Sequence, residues 1–315
     1  MPPFEDIPVS TKTVIAHTNA TYDIGRLYDK IPVVSYNPPI KRRGRRTNPP
    51  PPDEKDQLPS GAIVTLKYFQ HHRGVDLKGR NKKGNGKFFR NALSVVMKVT
   101  NPDGNGKLVN FKLSKNGKFQ LTGIKTNEHA IMCVKYLWKY ILDLDDHTLF
   151  KIDGDNLEVI MKIVMTNIDF SLGFKVNREK LDRHFNSSTD YHSLLETSFG
   201  YTGVNIKFPN ELNLDQLLTR YSLDIKNEVW NQDMVTMRNY LERLTPAEYQ
   251  KETNKRRYNT FLVFHSGNVI MSGSFASAMV AAYYEFLDIV KQNKDEIEEH
   301  LLVDEPPANT PVPVM

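Results

Sequence analysis

Residues 264–273 read FHSGNVIMSG, and residues 115–123 read KNGKFQLTG. Gly117 and Gly123 stand six apart, as do Gly267 and Gly273, and each pair brackets a short apolar run ending in a hydroxyl, Thr122 or Ser272. A second phrase, T-N-x-x-[YF]-x-[IL]-G, occurs as TNATYDIG at 18–25 and TNIDFSLG at 166–173. The two phrases repeat at nearly one offset, 150 and 148 residues, which implies an internal duplication.

The segments between these anchors follow one order twice. Alternating or β-branched apolar runs bounded by Gly, Asn and Pro predict strands at 11–18, 61–69, 92–100, 107–113 and 118–122. NPDGNGK and KNG carry hairpin-turn chemistry between them. After Gly123 the period changes: Ile131, Val134, Leu137, Trp138 and Ile141 recur at helical spacing, with Thr126 or Asn127 placed to cap. The second half predicts strands at 158–169, 203–208, 259–264 and 268–272, then a helix from about Ser277. Two copies of strands-then-helix predict an α+β fold, one antiparallel sheet joined edge to edge with helices on one face. The other face would be bare, and its outward positions include Phe264 and Ile270, which marks a binding surface.

Composition narrows the class. The chain has 315 residues, 39% of them hydrophobic, enough for a real core and against a fibrous or wholly disordered chain. No apolar run reaches bilayer length and MPPFEDIPVS lacks signal-peptide blocks, so a soluble intracellular protein is expected, with no membrane partner. Cys133 is the sole cysteine, which excludes an internal disulfide and a thiolate metal cluster. The net charge of +5 is unevenly spread. KRRGRR (41–46) and HHRGVDLKGRNKKGNGKFFR (71–90) are basic, and the end from DEIEEHLL fades into a Pro-rich acidic tail, 300–315, expected to be disordered.

No nucleophile, base and orienter set stands out, so neither catalysis nor a metal nor a cofactor is expected. GNGK at 84–87 and 104–107 lacks the following Ser or Thr of a phosphate loop and reads as turn chemistry. The carboxylates of DLDDH and DGD lie between the halves without an EF-hand register.

These residues resemble the TATA-box-binding protein family across roughly 11–142 and 158–290. GKFQLTG and VFHSGNVIMSG look like its two F-x-S-G-K-x-V-x-T-G hairpins, SYNP (35–38) like E-Y-N-P, VVMKVTNP (95–102) like V-I-M-R-I-R-E-P, and FKVNREKL (174–181) like F-P-I-R-L-E-G-L. The resemblance implies a curved saddle of two pseudo-symmetric repeats with helices on the convex face. Its concave sheet would enter a widened minor groove of A·T-rich promoter DNA with Phe side chains wedged between base steps. General transcription factors and RNA polymerase would dock elsewhere on what is expected to be a monomer on DNA, in the nucleus or another site of transcription. The long insertions fit a divergent member, with a virus-encoded one and a viral factory among the options.

Carried over, Phe199 and Phe264 fall on the second-half wedges, Ser272 and Thr122 on the central hydroxyls, Ile270 on an apolar groove contact, Lys98 on a phosphate-directed Arg and Lys118 on the hairpin Lys. Asn205 joins them on the second-half sheet. The family's central Asn pair falls on Thr11 and Met165, or in a shifted register on Thr13 and Asn167. The first-half wedges fall near Ala92 or Leu93 and near Leu113 or Ser114, none of them aromatic, and Gln120 replaces an apolar contact.

The expected layout is a tail at 1–10, a first repeat at 11–152 with a basic Pro-rich insertion at 38–90, and a second repeat at 153–299 with an insertion at 210–257. That second insertion reads as helical, with Leu and Val or Met at three-and-four spacing, and would be a partner dock or a small cap. The alternative to DNA binding is a saddle scaffold that binds protein partners on the same face.

Overall fold

The computed structural model describes residues 2–37, 57–75, 90–101, 104, 106–195 and 203–299. Its first half runs β1 (Val9–Thr18), β2 (Ala20–Tyr22), α1 (Ile24–Lys30), β3 (Ile63–Tyr68), β4 (His71–Gly74), β5 (Ala92–Thr100), β6 (Gly106–Ser114), β7 (Lys118–Ile124) and α2 (Asn127–Asp143). After β8 (Phe150–Ile152) come β9 (Leu157–Ser171), α3 (Arg178–Ser188), β10 (His192–Leu195) and β11 (Gly203–Asn210). β12 (Leu217–Asp224), β13 (Val229–Thr236), α4 (Met237–Leu241) and α5 (Pro246–Thr253) follow. The chain then returns through β14 (Arg257–Phe264), β15 (Asn268–Gly273), α6 (Ala276–Gln292) and α7 (Lys294–Ile297).

Among the described residues, thirteen strands make one sheet, and β2 with β8 makes a separate pair. Outward from β1 the order is β7, β6, β5, β3, β4; outward from β9 it is β15, β14, β11, β10. β1 and β9 pair antiparallel at the centre, and every other pairing in the sheet is antiparallel too. The architecture is therefore α+β, as the alternation predicts.

Period-two alternation decides which face each side chain takes. In β6, Val109, Phe111 and Leu113 point to the core while Asn110 and Lys112 do not. α2 closes the first core, its Trp138 and Leu137 fully buried with Phe119 and Leu121. α6 closes the second, where the Phe261 and Phe286 rings stack 4.2 Å apart beside Phe208 and Tyr283. Thr126 caps α2 by accepting from the His129 N–H. Asp23 and Asn177 cap α1 and α3 in the same way, accepting from the Arg26 and Lys180 N–H.

Two expectations fail here. The segment before residue 10 is no tail: Phe4 and Ile7 are buried in the second core, the Phe4 N–H donates to Tyr284 Oη at 3.2 Å, and β1 already begins at Val9. The 210–257 insertion is helical only in its second part, α4 and α5. It begins as a β12–β13 hairpin, and β12 pairs with residues 157–161 of β9, beyond the end of β15. Residues 38–56, including KRRGRR, and the acidic tail lie outside the described residues.

The duplicated glycine phrase has a steric reason. Gly117 and Gly267 sit at φ +80° and +81°. A Cβ would meet Ala20 O at 2.1 Å in one case and Phe174 O at 2.0 Å in the other. Each turn thus packs against the chain that leaves the central strand of its own half. Gly117→Ala and Gly267→Ala should each destabilise by at least about 1–3 kcal/mol, from a strained backbone plus a main-chain clash. Urea midpoints measure this; a midpoint unchanged in either variant would refute the geometry of that turn.

Candidate functional site

The strand registers sort the face turned away from α2 and α6 into rows. One row crosses six strands as His192, Lys207, Thr260, Ser272, Asn167 and Thr11. The next row reads Leu194, Asn205, Leu262, Ile270 and Asp169. All of these side chains are half-buried or exposed, and Leu194 is 58% exposed although apolar. Phe264, half-buried, stands opposite Gly203 and borders an open cleft with Ile270, Asp169 and His265. Thr13 pairs with Met165, itself 38% exposed, and Thr122 pairs with Asn110.

Seven predicted residues, Thr11, Thr13, Asn167, Asn205, Ile270, Ser272 and Phe264, therefore share this face along β1 and the second half, and Thr122 joins them across β7. Thr11, Thr13, Met165 and Asn167 all face outward and pair as Thr11 with Asn167 and Thr13 with Met165, so the geometry singles out neither register for the central pair. The side-chain oxygens of Asn167 and Asn205 are buried and accept no hydrogen bond.

Other predicted residues lie elsewhere. Phe199 is outside the described residues. Leu113 is wholly buried in the first core, because its strand parity points it toward Phe119 and α2; it is not a surface contact. Its neighbour Ser114 takes the outward position, opposite Ala92, so no aromatic side chain stands where the first-half wedge pair was sought. Lys98 is only 3% exposed, packed beside Gly106 and Thr100, and does not present an outward cation for a phosphate. Of the 71–90 block, 76–89 fall outside the described residues, and Arg73 donates to the main-chain carbonyls of Tyr28 and Asp29.

The expectation of a wholly bare face also fails. α4 and the preceding hairpin bury Met237, Tyr240, Leu241 and Leu218 against Ile160, a third apolar cluster on the side away from α2 and α6. The Tyr240 ring meets His17 edge-on at 5.2 Å, with Tyr240 Oη 3.0 Å from His17 Nε2. Beyond it, Glu248 of α5 holds Lys118 at 2.5 Å, and Glu252 holds Lys162 and Arg257. Register puts His17, Lys118 and Ile160 in one outward row, with Lys162 one step along β9.

Sequence reading missed His17, Lys162, Tyr240, Glu248 and Glu252. One signal was available, because T-P-A-E at 245–248 is a capping box, which Thr245 and Glu248 form.

Burial under Tyr240, then Lys118 and Lys162, pushes the His17 pKa down from 6.5 to about 4. Its hydrogen bond from Lys118 holds the Glu248 carboxyl down at about 2. Among the described residues no group of three or more His, Cys, Asp or Glu is arranged to hold a metal ion, and no helix is long and apolar enough to cross a membrane.

No protein-family model matches the sequence. The chain is 27% identical over 196 residues to uncharacterized protein 335L of Invertebrate iridescent virus 6, a match spanning 58% of this chain and 56% of that protein, so only about half of the relative's length is covered. Among solved structures it is similar to the TBP of Methanococcus jannaschii, with 13% sequence identity and a TM-score of 0.41, covering 92% of this chain and 99% of that one.

The His17 linkage gives a pH prediction. With its pKa lowered in the docked form, His17 binds a proton more readily once α4 lifts away. Its contribution to docking is complete above about pH 6.5 and is lost as pH falls through about 4. Facing it are Tyr240, Lys118, Lys162, Glu248 and Glu252, and protonating the two carboxylates at still lower pH acts in the same direction. Amide exchange of 237–253 should accelerate relative to β14 between pH 6.5 and 4, with the His17 imidazole titrating near 4 by NMR. An imidazole titrating near 6.5 would show that Tyr240 does not cover it.

Proposed function

We propose that this protein binds A·T-rich double-stranded DNA through the face of its sheet turned away from α2 and α6, in the minor groove, as a transcription initiation factor. The observation that carries the reading is the pair of outward rows, a polar one running from β10 to β1 and a mixed apolar and polar one running from β10 to β9. Six strands at ~4.8 Å span about 24 Å, the length of roughly seven base pairs at ~3.4 Å each. The minor groove of A·T pairs offers only acceptors. Thr11, Thr260 and Ser272 can donate to them through hydroxyls, and Asn167 and Asn205 through amide N–H groups once each amide turns its nitrogen outward. Apolar Ile270 and Leu262 suit the groove floor, and Phe264 is positioned to enter a base step from the strand end.

The motif resemblance supports the same reading. We read the two glycine phrases, the matching strand order outward from β1 and β9, and α2 against α6 as two pseudo-symmetric repeats of a saddle. The helix face would then receive other initiation factors and polymerase. The kink is one-sided, because Ala92 and Ser114 are too small to wedge where Phe264 has its counterpart.

A second reading, a scaffold for protein partners on the same face, is favoured by the α4–α5 cover and the missing first-half wedge.

Fluorescence bending assays on short A·T-rich duplexes separate the two. The wild type should bend the duplex, and Phe264→Ala should bend it less while its affinity drops by no more than roughly tenfold. Asn167→Ala with Ser272→Ala should narrow the preference for A·T over G·C sequence. A wild type that binds no duplex at low salt would leave the scaffold reading in place.

A further inference from the structure

We propose that α5 is an internal competitor for nucleic-acid phosphates, holding Lys118 and Lys162 of the sheet face through Glu248 and Glu252 until a DNA backbone takes its place. The inference rests on the DNA-binding reading and concerns a segment that reading leaves unexplained.

α4 and α5 are held in different ways. Met237, Tyr240 and Leu241 of α4 are each 2% exposed and packed on Ile160 and Leu218, so α4 is fixed by apolar burial. α5, eight residues long, has no buried residue. Glu248 and Glu252, one turn apart and so on one side of the helix, hold it to the sheet through their carboxylates, and Arg257 of β14 also donates to the Glu252 main-chain carbonyl. Lys118 and Glu248 each keep a 34% exposed side chain, so that pair is weak. Lys162 and Glu252 are more covered, at 10% and 22%. An isolated helix so short is marginal on its own, so α5 is placed by charge, more firmly at Glu252 than at Glu248.

The ammoniums it occupies are well suited to a polyanion. Lys118 sits in the β6–β7 hairpin strand beside His17, and Lys162 lies centrally on β9, over the Tyr240 ring at 5.3 Å. Arg257, which Glu252 also holds at 2.7 Å, would be released with them, beside Lys255 and Arg256 on the same cleft wall. Phosphates that take both lysines would release counterions and expel α5 together, while α4 stays seated.

The test compares wild type with Glu248→Gln plus Glu252→Gln. A control carries Glu179→Gln plus Asp288→Asn, which removes the same charge from exposed positions of α3 and α6. Affinity for a 16-base-pair A·T-rich duplex is measured alongside amide exchange of 246–253. The latch variant should bind about tenfold more tightly and the control no more than about twofold. In the wild type, duplex should accelerate exchange in α5 and leave α4 protected. Equal tightening by the control, no tightening by the latch variant, or an α5 that keeps its protection on duplex would each overturn the latch while DNA binding itself stands. If all three proteins fail to bind at low salt, the DNA reading falls, and the latch with it.

Discussion

The antiparallel pairing of β1 with β9 is the contact on which everything else is hung. β9 runs from Leu157 to Ser171, longer than any other strand described, and along one edge its residues 159–168 pair with β1. Its other edge is shared: residues 166–171 take β15, and residues 157–161 take β12. Two register shifts in the pair, between Val9 and Thr11 and between Thr13 and Val14, change the parity of the strands midway. Met161 and Ile163 therefore face the first core while Ile168 and Phe170 face the second, and Met165 and Asn167 turn outward between them. One strand thus serves two cores and still supplies the centre of the open face.

The division of β9's free edge explains where the insertion goes. A hairpin that pairs beside β15 as a sheet extension has its two faces aligned with those of the sheet. Leu218 and Ile160 face away from α2, so the chain leaving β13 is delivered onto the same side. Arg220 and Arg243 close on Glu158 there and anchor the turn into α4 and beyond. The cover on the face follows from strand pairing; no separate docking event is required.

Strand alternation and turn glycines were legible in the sequence. The 92–100 prediction coincides with β5, and the helix after Gly123 begins where Thr126 caps it. The helices α1 and α3 are not apparent from the sequence pattern: the first T-N phrase already contains the α1 cap Asp23, and the second ends at Gly173, short of the α3 cap Asn177. The 210–257 segment reads as helical in sequence but is so only from Met237 onward, and its first part is a hairpin for a physical reason. Leu and Val at three-and-four spacing are also compatible with a hairpin once β-branched and aromatic residues such as Thr219, Tyr221 and Trp230 have a strand to pair with, and β9 lies about 60 residues away in sequence. Leu113 shows the sharpest failure, since a single residue of register exchanges the core for the surface. The Lys118–Glu248 pair spans 130 residues and leaves no local trace.

The outward face is consequently uneven, and the unevenness follows one line of reasoning. Where the face carries Phe264, Ile270 and Leu262, it is open; where Lys118 and Lys162 lie, the chain provides its own carboxylates. Uncompensated lysines beside the buried His17 would repel one another. Glu248 and Glu252 remove that repulsion without burying α5. An apolar anchor at α5 would have fixed the cover permanently, whereas a charged one leaves it exchangeable with any denser array of negative charge.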